Sequence, residues 1–314
     1  PNHQGHIMKK YLLAILLAGT FNSHLLAQTL KTQKINESTY ALIGEIGGRT
    51  YENQGLNANY GAIVTKDGVI LIDSGASKKG AELINKEVRK ITGQKIRWVI
   101  NTGSQDHRWL GNDYFISQGA EVIALSKTVA TQKLMAGNQV DSVKAVLKDR
   151  FSGTKPAYAQ SPLNQNDVAL DLGGTKVQIK YLNHAHFEGD VVIYLPEQNI
   201  MFSGDHIYVD RLLGVLPQSN ASKWLDAFNQ IEFINPKVIV PGHGAICDLS
   251  KAKRQTGDYL KFLVDGTKKY AEDMAGVEVA VKGLSNAPQF EKLANFNELH
   301  KGNINRTYLR LEAE

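Results

Sequence analysis

The segment Asn-Thr-Gly-Ser-Gln-Asp-His-Arg-Trp-Leu-Gly-Asn spans residues 101–112 and concentrates polar side chains in one short stretch. It directly follows the apolar run Ile96–Ile100, which predicts a buried β-strand. A single imidazole, His107, stands between Asp106 and Arg108. Binding and catalytic residues lie disproportionately on loops held by a rigid scaffold. The segment therefore predicts a chemically active loop at the end of a buried strand.

Further loops share this arrangement, because histidine or aspartate follows directly on an apolar run. They are 72–75 with Asp73, 183–190 paired with 202–206, and 240–244 with His243. Imidazoles and carboxylates at the ends of separate strands can converge at one sheet edge, where their N and O atoms suit zinc. Zinc turns a bound water into hydroxide near neutral pH, which is the nucleophile of a hydrolase. These loops predict a metal site with hydrolytic chemistry.

The composition is that of a globular protein. The chain has 314 residues, 42% hydrophobic and 21% charged, so a mainly disordered chain is excluded. The net charge of +5 is not gathered into a basic run, which argues against nucleic acid as a partner and leaves a small-molecule substrate. The single cysteine, Cys247, excludes an intramolecular disulfide and a cysteine-rich metal site. We interpret it as a buried structural thiol.

The first 27 residues are typical of a leader and secretory signal peptide. Lys9-Lys10 precede an apolar stretch that opens at Tyr11–Ala18, and small or apolar residues at 25–27 predict cleavage after Ala27. The stretch is shorter than the ~20 residues that span a bilayer. We expect export to the periplasm or outside the cell, without stable membrane insertion after cleavage. An uncleaved anchor is the alternative. Residues 28–314 are expected to form a single domain with a helical C-terminal tail.

The pattern of apolar residues predicts an α/β (α+β) fold. Two runs of strands interspersed with helices suggest a four-layer αβ/βα sandwich, helix–sheet–sheet–helix. The interpretation includes a helix at Lys78–Ile91, one from about Lys127 to Asp149 interrupted near Gly137-Asn138, and a long helix at Lys251–Met274. Oligomeric state is left open by the sequence.

The order of these loops resembles that of the metallo-β-lactamase-fold superfamily, over roughly Tyr40 to Asp248. Four segments carry the resemblance: Leu71–Gly75, His186–Asp190, Phe202–Asp205 and Pro241–Gly244. Residues 186–190 are similar to the family's His-Thr-Pro-Gly-Asp, and Asp205 matches its metal-bridging aspartate. The resemblance implies the four-layer fold and a metal-dependent hydrolase acting on an ester, amide or phosphoester-type substrate.

The segment at 101–112 departs from the family's His-x-His-x-Asp-His signature. Counted without gaps, Gly103, Gln105, His107 and Arg108 occupy the four ligand positions. A slip of one residue would instead place Asp106 and His107 in the Asp-His positions. His107 is a ligand candidate in both registers, whereas Asp106 is one only in the second.

The resemblance implies one zinc ion, or a remodelled site, rather than the family's usual pair. The implied metal ligands are those that survive at matching positions: His107, Asp106, His186, Asp205 and His243. A nearby carboxylate, Asp106 or Asp205, would orient or deprotonate the attacking water. Whether Gln105 or His184 also binds metal is open. The alternative function is a metal-poor binding or accessory protein on the same fold.

Three neighbouring residues have expected supporting roles. Asp73 is expected to accept hydrogen bonds from the loop after Asn101. Arg108 is expected to neutralise Asp106 or Asp205, or to bind an anionic group of the substrate. His206 is expected to pack in the core or on the surface rather than to bind metal.

Overall fold

The computed structural model describes residues 29–314, and two β-sheets form its centre. The predicted signal peptide lies outside the described residues. The strands are β1 Lys31–Lys34, β2 Thr39–Ile43, β3 Tyr60–Thr65, β4 Gly68–Ile72, β5 Ile96–Ile100, β6 Glu121–Ile123, β7 Asp167–Leu172, β8 Thr175–Lys180, β9 Val192–Leu195, β10 Ile200–Phe202 and β11 Val238–Val240. The helices are α1 Lys78–Ile91, α2 Asp106–Trp109, α3 Asn112–Ser117, α4 Ser126–Leu147, α5 Ala221–Ile234, α6 Leu249–Ala252, α7 Asp258–Glu272, α8 Val277–Leu284 and α9 Phe296–Ala313.

The predicted four-layer sandwich is confirmed. One sheet has the order β1-β2-β3-β4-β5-β6 and the other β11-β10-β9-β8-β7. Buried residues from both sheets, including Ile70 and Ile193, pack together between them. The outer face of the first sheet packs on α1 and α3, and that of the second on α5 and α7. Each sheet thus buries one face on the other sheet and one face on helices.

Local sequence explains the elements that lead to the loops of interest. All five residues of β4 are buried, as expected for an apolar run covered on both faces. Helix α1 begins after Ser77, whose Oγ accepts a hydrogen bond from Gly80 N at 3.0 Å. Its buried face includes Ile84 and Val88, one helical turn apart.

Three details differ from the sequence interpretation. Helix α4 runs without interruption through Gly137, because the roughly 1 kcal/mol cost of one glycine is small beside the packing of a 22-residue helix. The predicted helix at 251–274 is helical from Leu249 to Glu272 but contains a π-helical segment, Lys253–Gly257. Strand β1 was not predicted, since Lys-Thr-Gln-Lys has no apolar alternation. Of the helices within residues 29–314, none combines the length and apolar character that crossing a bilayer requires.

The topology places the polar loops at one edge. Strands β4 and β5 are parallel neighbours in the first sheet, and β10 and β11 are parallel neighbours in the second. Parallel neighbours have their carboxyl ends at the same edge, so the loops after each pair are adjacent. Gly242, after β11, approaches so closely that a Cβ there would overlap Gly204 O and the Arg108 guanidinium. The loops of the two sheets therefore meet in one buried cluster.

Candidate metal centre

Three predicted ligands come together from three different loops. His107 lies on α2 after β5, Asp205 on the 3-10 turn after β10, and His243 on the loop after β11. One ligand atom from each lies within 4.8 Å of the other two, and all three residues are buried. His107 Nε2 is 3.3 Å from Asp205 Oδ2, and His243 Nε2 is 3.1 Å from Asp205 Oδ1. Within residues 29–314 this is the one group of three such side chains with metal-site spacing.

Hydrogen bonding fixes the protonation of His243. Its Nδ1 lies 2.8 Å from Asn57 O, and since a carbonyl oxygen only accepts, Nδ1 must donate. Burial lowers the pKa of His243 well below its usual range, despite the opposing effect of Asp205, so the ring is neutral. Its Nε2 then presents a lone pair to the Asp205 carboxylate. Two lone pairs at 3.1 Å repel unless a cation lies between them, so this donor set fits a metal ion.

Arg108 lies behind Asp205 and is fully buried. Its Nη2 and Nε donate to the two oxygens of Asp205 at 2.6 and 3.2 Å, and its Nη1 donates to Asp73 Oδ2 at 3.1 Å. Burial alone would raise the pKa of Asp205, but Arg108 and His107 outweigh it and hold the pKa well below its usual range. The expectation that Arg108 neutralises Asp205 is confirmed. The alternative of substrate binding is wrong, because the buried guanidinium is spent on these contacts.

Asp106 faces the other side of His107. Its Oδ1 pairs with Arg49 Nη2 and is 3.5 Å from His107 Nδ1, which is an electrostatic contact rather than a well-formed hydrogen bond. Burial opposes ionisation, but the Arg49 and His107 contacts lower the pKa of Asp106 to about 2. Asp106 therefore stays anionic behind His107 and lies outside the three-residue cluster.

His186 also lies outside the cluster. Its Nε2 is 2.6 Å from Gln105 Oε1, so Nε2 carries a proton and donates to the amide oxygen. Burial lowers the pKa of His186 to about 4, which keeps the ring neutral. The nitrogen that faces Gln105 thus has no free lone pair for a metal.

Gly103 leaves no room for a ligand side chain. A Cβ at this position would lie 2.5 Å from Asp190 Oδ1, closer than real Cβ contacts allow. Asp190 is buried, and its Oδ2 accepts from Phe187 N at 2.7 Å, which holds the carboxyl in place. Burial, reinforced by Asp205, raises the pKa of Asp190 well above its usual range. The positions of Gly103, Gln105 and His107 agree with the ungapped register of this segment.

The supporting residues largely follow the expectations. Asp73 accepts from Thr102 N at 2.7 Å and from Thr102 Oγ1 at 2.6 Å, as predicted. Burial raises the pKa of Asp73 to about 6, partly offset by Arg108. His206 is buried, with Nδ1 3.1 Å from Ser203 O, and is not part of the cluster.

Two further predictions concern residues away from the cluster. His184 has Nε2 2.7 Å from Gln218 O and Nδ1 3.3 Å from Glu188, so both ring nitrogens have protein partners outside the cluster. The prediction that Cys247 is buried is confirmed, and burial raises the pKa of its thiol to about 12.

Sequence reasoning missed two residues in the segment between β2 and β3. Arg49 pairs with Asp106, and Asn57 orients His243. Neither lies in a motif, and contact with the cluster depends on folding of a loop far away in sequence. The one available signal was Gly47-Gly48 before Arg49, which marks a loop tip carrying a cation.

Comparisons with known proteins agree with this geometry. The family model described as the metallo-beta-lactamase superfamily matches residues 53–243, which contain all three clustered ligands. A metallo-beta-lactamase type 2 from Elizabethkingia meningoseptica is 28% identical over 245 residues, 76% of this chain and 89% of that protein. Metallo-beta-lactamase IND-1 from Chryseobacterium indologenes is 24% identical over 214 residues, 67% of this chain and 79% of that protein.

A solved structure shows the same fold. The metallo-beta-lactamase from Pontibacter korlensis superposes with a TM-score of 0.59 at 22% identity. The match covers 74% of this chain and 99% of that one. The family model ends at residue 243, so α5 lies inside the matched range and the helices after it lie beyond.

Proposed function

The chain belongs to the metallo-β-lactamase superfamily and is a metallo-hydrolase of that family, and we propose that it works with a single metal ion held by His107, Asp205 and His243. The observation that carries the proposal is the convergence of two imidazole lone pairs on one carboxylate within 4.8 Å. Two nitrogens and one carboxylate oxygen are a ligand set that suits zinc. Three protein ligands meet the minimum for a catalytic zinc with an open position.

The first metal position of the family is closed by protein groups here. Gly103 supplies no donor, and Asp190 fills the space beside it. Gln105 engages the ring nitrogen of His186 at 2.6 Å. We therefore place neither His186 nor Gln105 in the ligand set.

The surrounding residues orient the ligands. Asn57 O fixes the His243 ring, and the Asp106 carboxylate lies against His107 Nδ1. Such outer contacts commonly set the tautomer and basicity of metal-binding histidines. Because the pKa values of Asp106 and Asp205 are both lowered, these carboxylates are suited to hold cationic groups rather than to accept a proton. A bound divalent metal would polarise the substrate and acidify water.

The test is metal content of the full-length chain purified without chelator. We expect about one zinc per chain by mass spectrometry, lost in His243→Ala and retained in the control His186→Ala. Two zinc ions per chain, or loss in His186→Ala as well, would contradict the assigned ligands. Absence of metal, with no rise in melting temperature on adding zinc, would favour a metal-poor binding protein instead.

Hydrolysis is assayed on the same preparations. Chromogenic ester, phosphoester and cephalosporin substrates cover the three bond classes, and we expect zinc-dependent turnover of at least one. His243→Ala should abolish this turnover and His186→Ala should retain it. Turnover that is unaffected by His243→Ala would show that the cluster is not the reaction centre.

Export is the second part of the proposal. Residues 1–27 carry the features of a signal peptide, with cleavage expected after Ala27. N-terminal sequencing of the protein recovered from a periplasmic fraction should begin at Gln28. Recovery of the intact N-terminus from the cytosolic fraction would contradict export.

A further inference from the structure

Two arginines from different loops meet beside the metal-ligand cluster. Arg49 lies in the segment between β2 and β3, and Arg211 in the segment after Asp205. Arg211 Nη1 lies 3.3 Å from Ile46 O and 3.4 Å from Gly47 O, so the two loops touch just before Arg49. Both guanidinium groups are therefore carried on one joined rim of the site.

Each arginine stands next to one of the two histidine ligands. Arg49 contacts Asp106, which lies against His107. On the other side, the guanidinium of Arg211 is 5.7 Å from the ring of Tyr208. That ring stacks on His243 with centroids 4.5 Å apart. A group bound between the arginines would lie close to the proposed metal.

These arginines retain unused hydrogen-bond donors, in contrast to Arg108. Arg49 makes its one contact through Nη2, and its Nε and Nη1 have no partner among residues 29–314. Arg211 Nε is buried and also has no partner in the part of the chain that the structure describes. No carboxylate within that part forms an ion pair with Arg211, whose bonds go to backbone carbonyls. A planar fork with free donors matches the geometry of carboxylate and phosphate oxygens.

The charges at the site favour an anionic ligand. Arg49, Arg108 and Arg211 are balanced by Asp73, Asp106 and Asp205, the carboxylates that hold the first two of them. A divalent metal in the cluster would leave this buried region with an excess of two positive charges. A substrate that carries a negative group would offset part of that excess.

The C-terminal region holds Arg211 in place. Ala294 accepts from Leu212 N at 2.9 Å and donates to Asp210 O at 3.0 Å, which fixes the backbone on both sides of Arg211. On α9, the Asn303 side chain accepts from Val215 N and donates to Leu213 O, both at 2.8 Å. The loop is thus ordered before any ligand binds, which lowers the entropic cost of binding.

We infer that Arg49 and Arg211 form a receptor for an oxyanion of the substrate, a carboxylate or a phosphate, so that the preferred substrates are anionic. This inference rests on the proposed hydrolase function. It assigns the two arginines to substrate recognition, while the histidines and Asp205 hold the metal.

Binding is tested first, without catalysis. Benzoate, phenyl phosphate and the neutral isostere benzamide are titrated calorimetrically into the full chain, metal-free and with zinc. We expect at least one anion to bind the metal-free protein and benzamide not to bind. Arg49→Gln and Arg211→Met should each weaken anion binding at least tenfold. Comparison of the two anions shows which oxyanion is preferred.

The matched control is Arg150→Ala. Arg150 donates to Tyr51 O at 2.6 Å and stacks on the Tyr51 ring, so it supports the same loop from outside the site. Its removal should leave anion binding within twofold of the parent. Arg49→Lys and Arg211→Lys keep the charge but lose the fork, and should retain part of the binding.

Turnover provides the second readout. For 4-acetoxybenzoate and its neutral methyl ester, which share one scissile ester, we expect the anion to be preferred through KM. Arg49→Gln and Arg211→Met should remove that preference and leave kcat for the neutral ester within about threefold. Benzoate binding equal to benzamide binding, or unchanged in both arginine variants, would overturn the inference. Anion binding without metal uptake would leave the receptor intact and contradict the proposed hydrolase centre instead.

Discussion

Replacing Arg108 by methionine should destabilise the protein strongly, because Arg108 is the internal counterion of the site. The variant loses two hydrogen bonds to Asp205, one to Asp73, and those to the carbonyls of Asn59 and Gly242, at 2.6 to 3.2 Å. Two carboxylates then stay buried without their cation. Removing one partner of a buried ion pair typically costs about 3–5 kcal/mol. At about 2–4 °C per kcal/mol for a chain of this size, the melting temperature should fall by roughly 6–20 °C.

Zinc should partly compensate for this loss. In the parent, Arg108 occupies both oxygens of Asp205 and places a positive charge 2.6 Å from one of them. That charge opposes a metal on the same carboxylate. In Arg108→Met the carboxylate is free for the metal, and each tenfold gain in affinity adds about 1.4 kcal/mol of stabilisation when zinc is in excess. Zinc should therefore raise the melting temperature of the variant more than that of the parent.

The assay is thermal unfolding of both proteins with and without zinc. An exposed arginine provides the control, since Arg97→Met should shift the melting temperature by no more than about 2 °C. Arg108→Lys should lie between parent and methionine variant, because lysine keeps the charge without the fork. A methionine variant that melts within 2 °C of the parent would refute the counterion role. Equal or greater zinc stabilisation of the parent would refute the competition between Arg108 and the metal.

Further substitutions test the closed first metal position and the ion pair at its side. Gly103→Ala should cost about 1–3 kcal/mol in urea unfolding, because the new Cβ would lie 2.5 Å from Asp190 Oδ1; an unchanged midpoint would contradict this packing. Gln105→Ala should cost about 1–3 kcal/mol by leaving His186 Nε2 without its acceptor, while metal content stays at the parent value. Asp106→Asn should be less stable than the parent by about 2 kcal/mol above pH 4, since the folded-state pKa of about 2 lies below the model value 3.8. That difference should shrink as pH falls from 4 to 2, and a gap independent of pH would contradict it.

The fold could be predicted from sequence because its signals are local and mutually consistent. Apolar runs such as Gly68–Ile72 and the helical spacing of α1 determine elements that the structure reproduces with the same bounds. The polar strand β1 was missed because it pairs at a sheet edge, where burial imposes little pattern. The uninterrupted α4 shows that packing along a long helix outweighs the preference of one glycine.

The ligand cluster was only partly predictable. His107, Asp205 and His243 were found because each directly follows a strand, and strand ends at a common edge converge. The partners of these ligands were not found, because Arg49 and Asn57 reach the cluster from a loop whose path depends on the whole fold. Sequence placed His186 among the ligands because spacing alone cannot reveal that Gln105 accepts its Nε2 proton.

Each departure from the family signature has a structural partner, and this argues for a rebuilt site rather than a decayed one. The missing side chain at Gly103 is matched by the carboxyl of Asp190, and the amide of Gln105 by the ring of His186. A site that had lost metal altogether would face no such requirement at His243, yet its Nε2 still meets a carboxylate at 3.1 Å with Nδ1 committed to Asn57. That arrangement is unfavourable without a cation. The protein has therefore closed one metal position with its own hydrogen bonds and kept the electrostatic demand for a metal at the other.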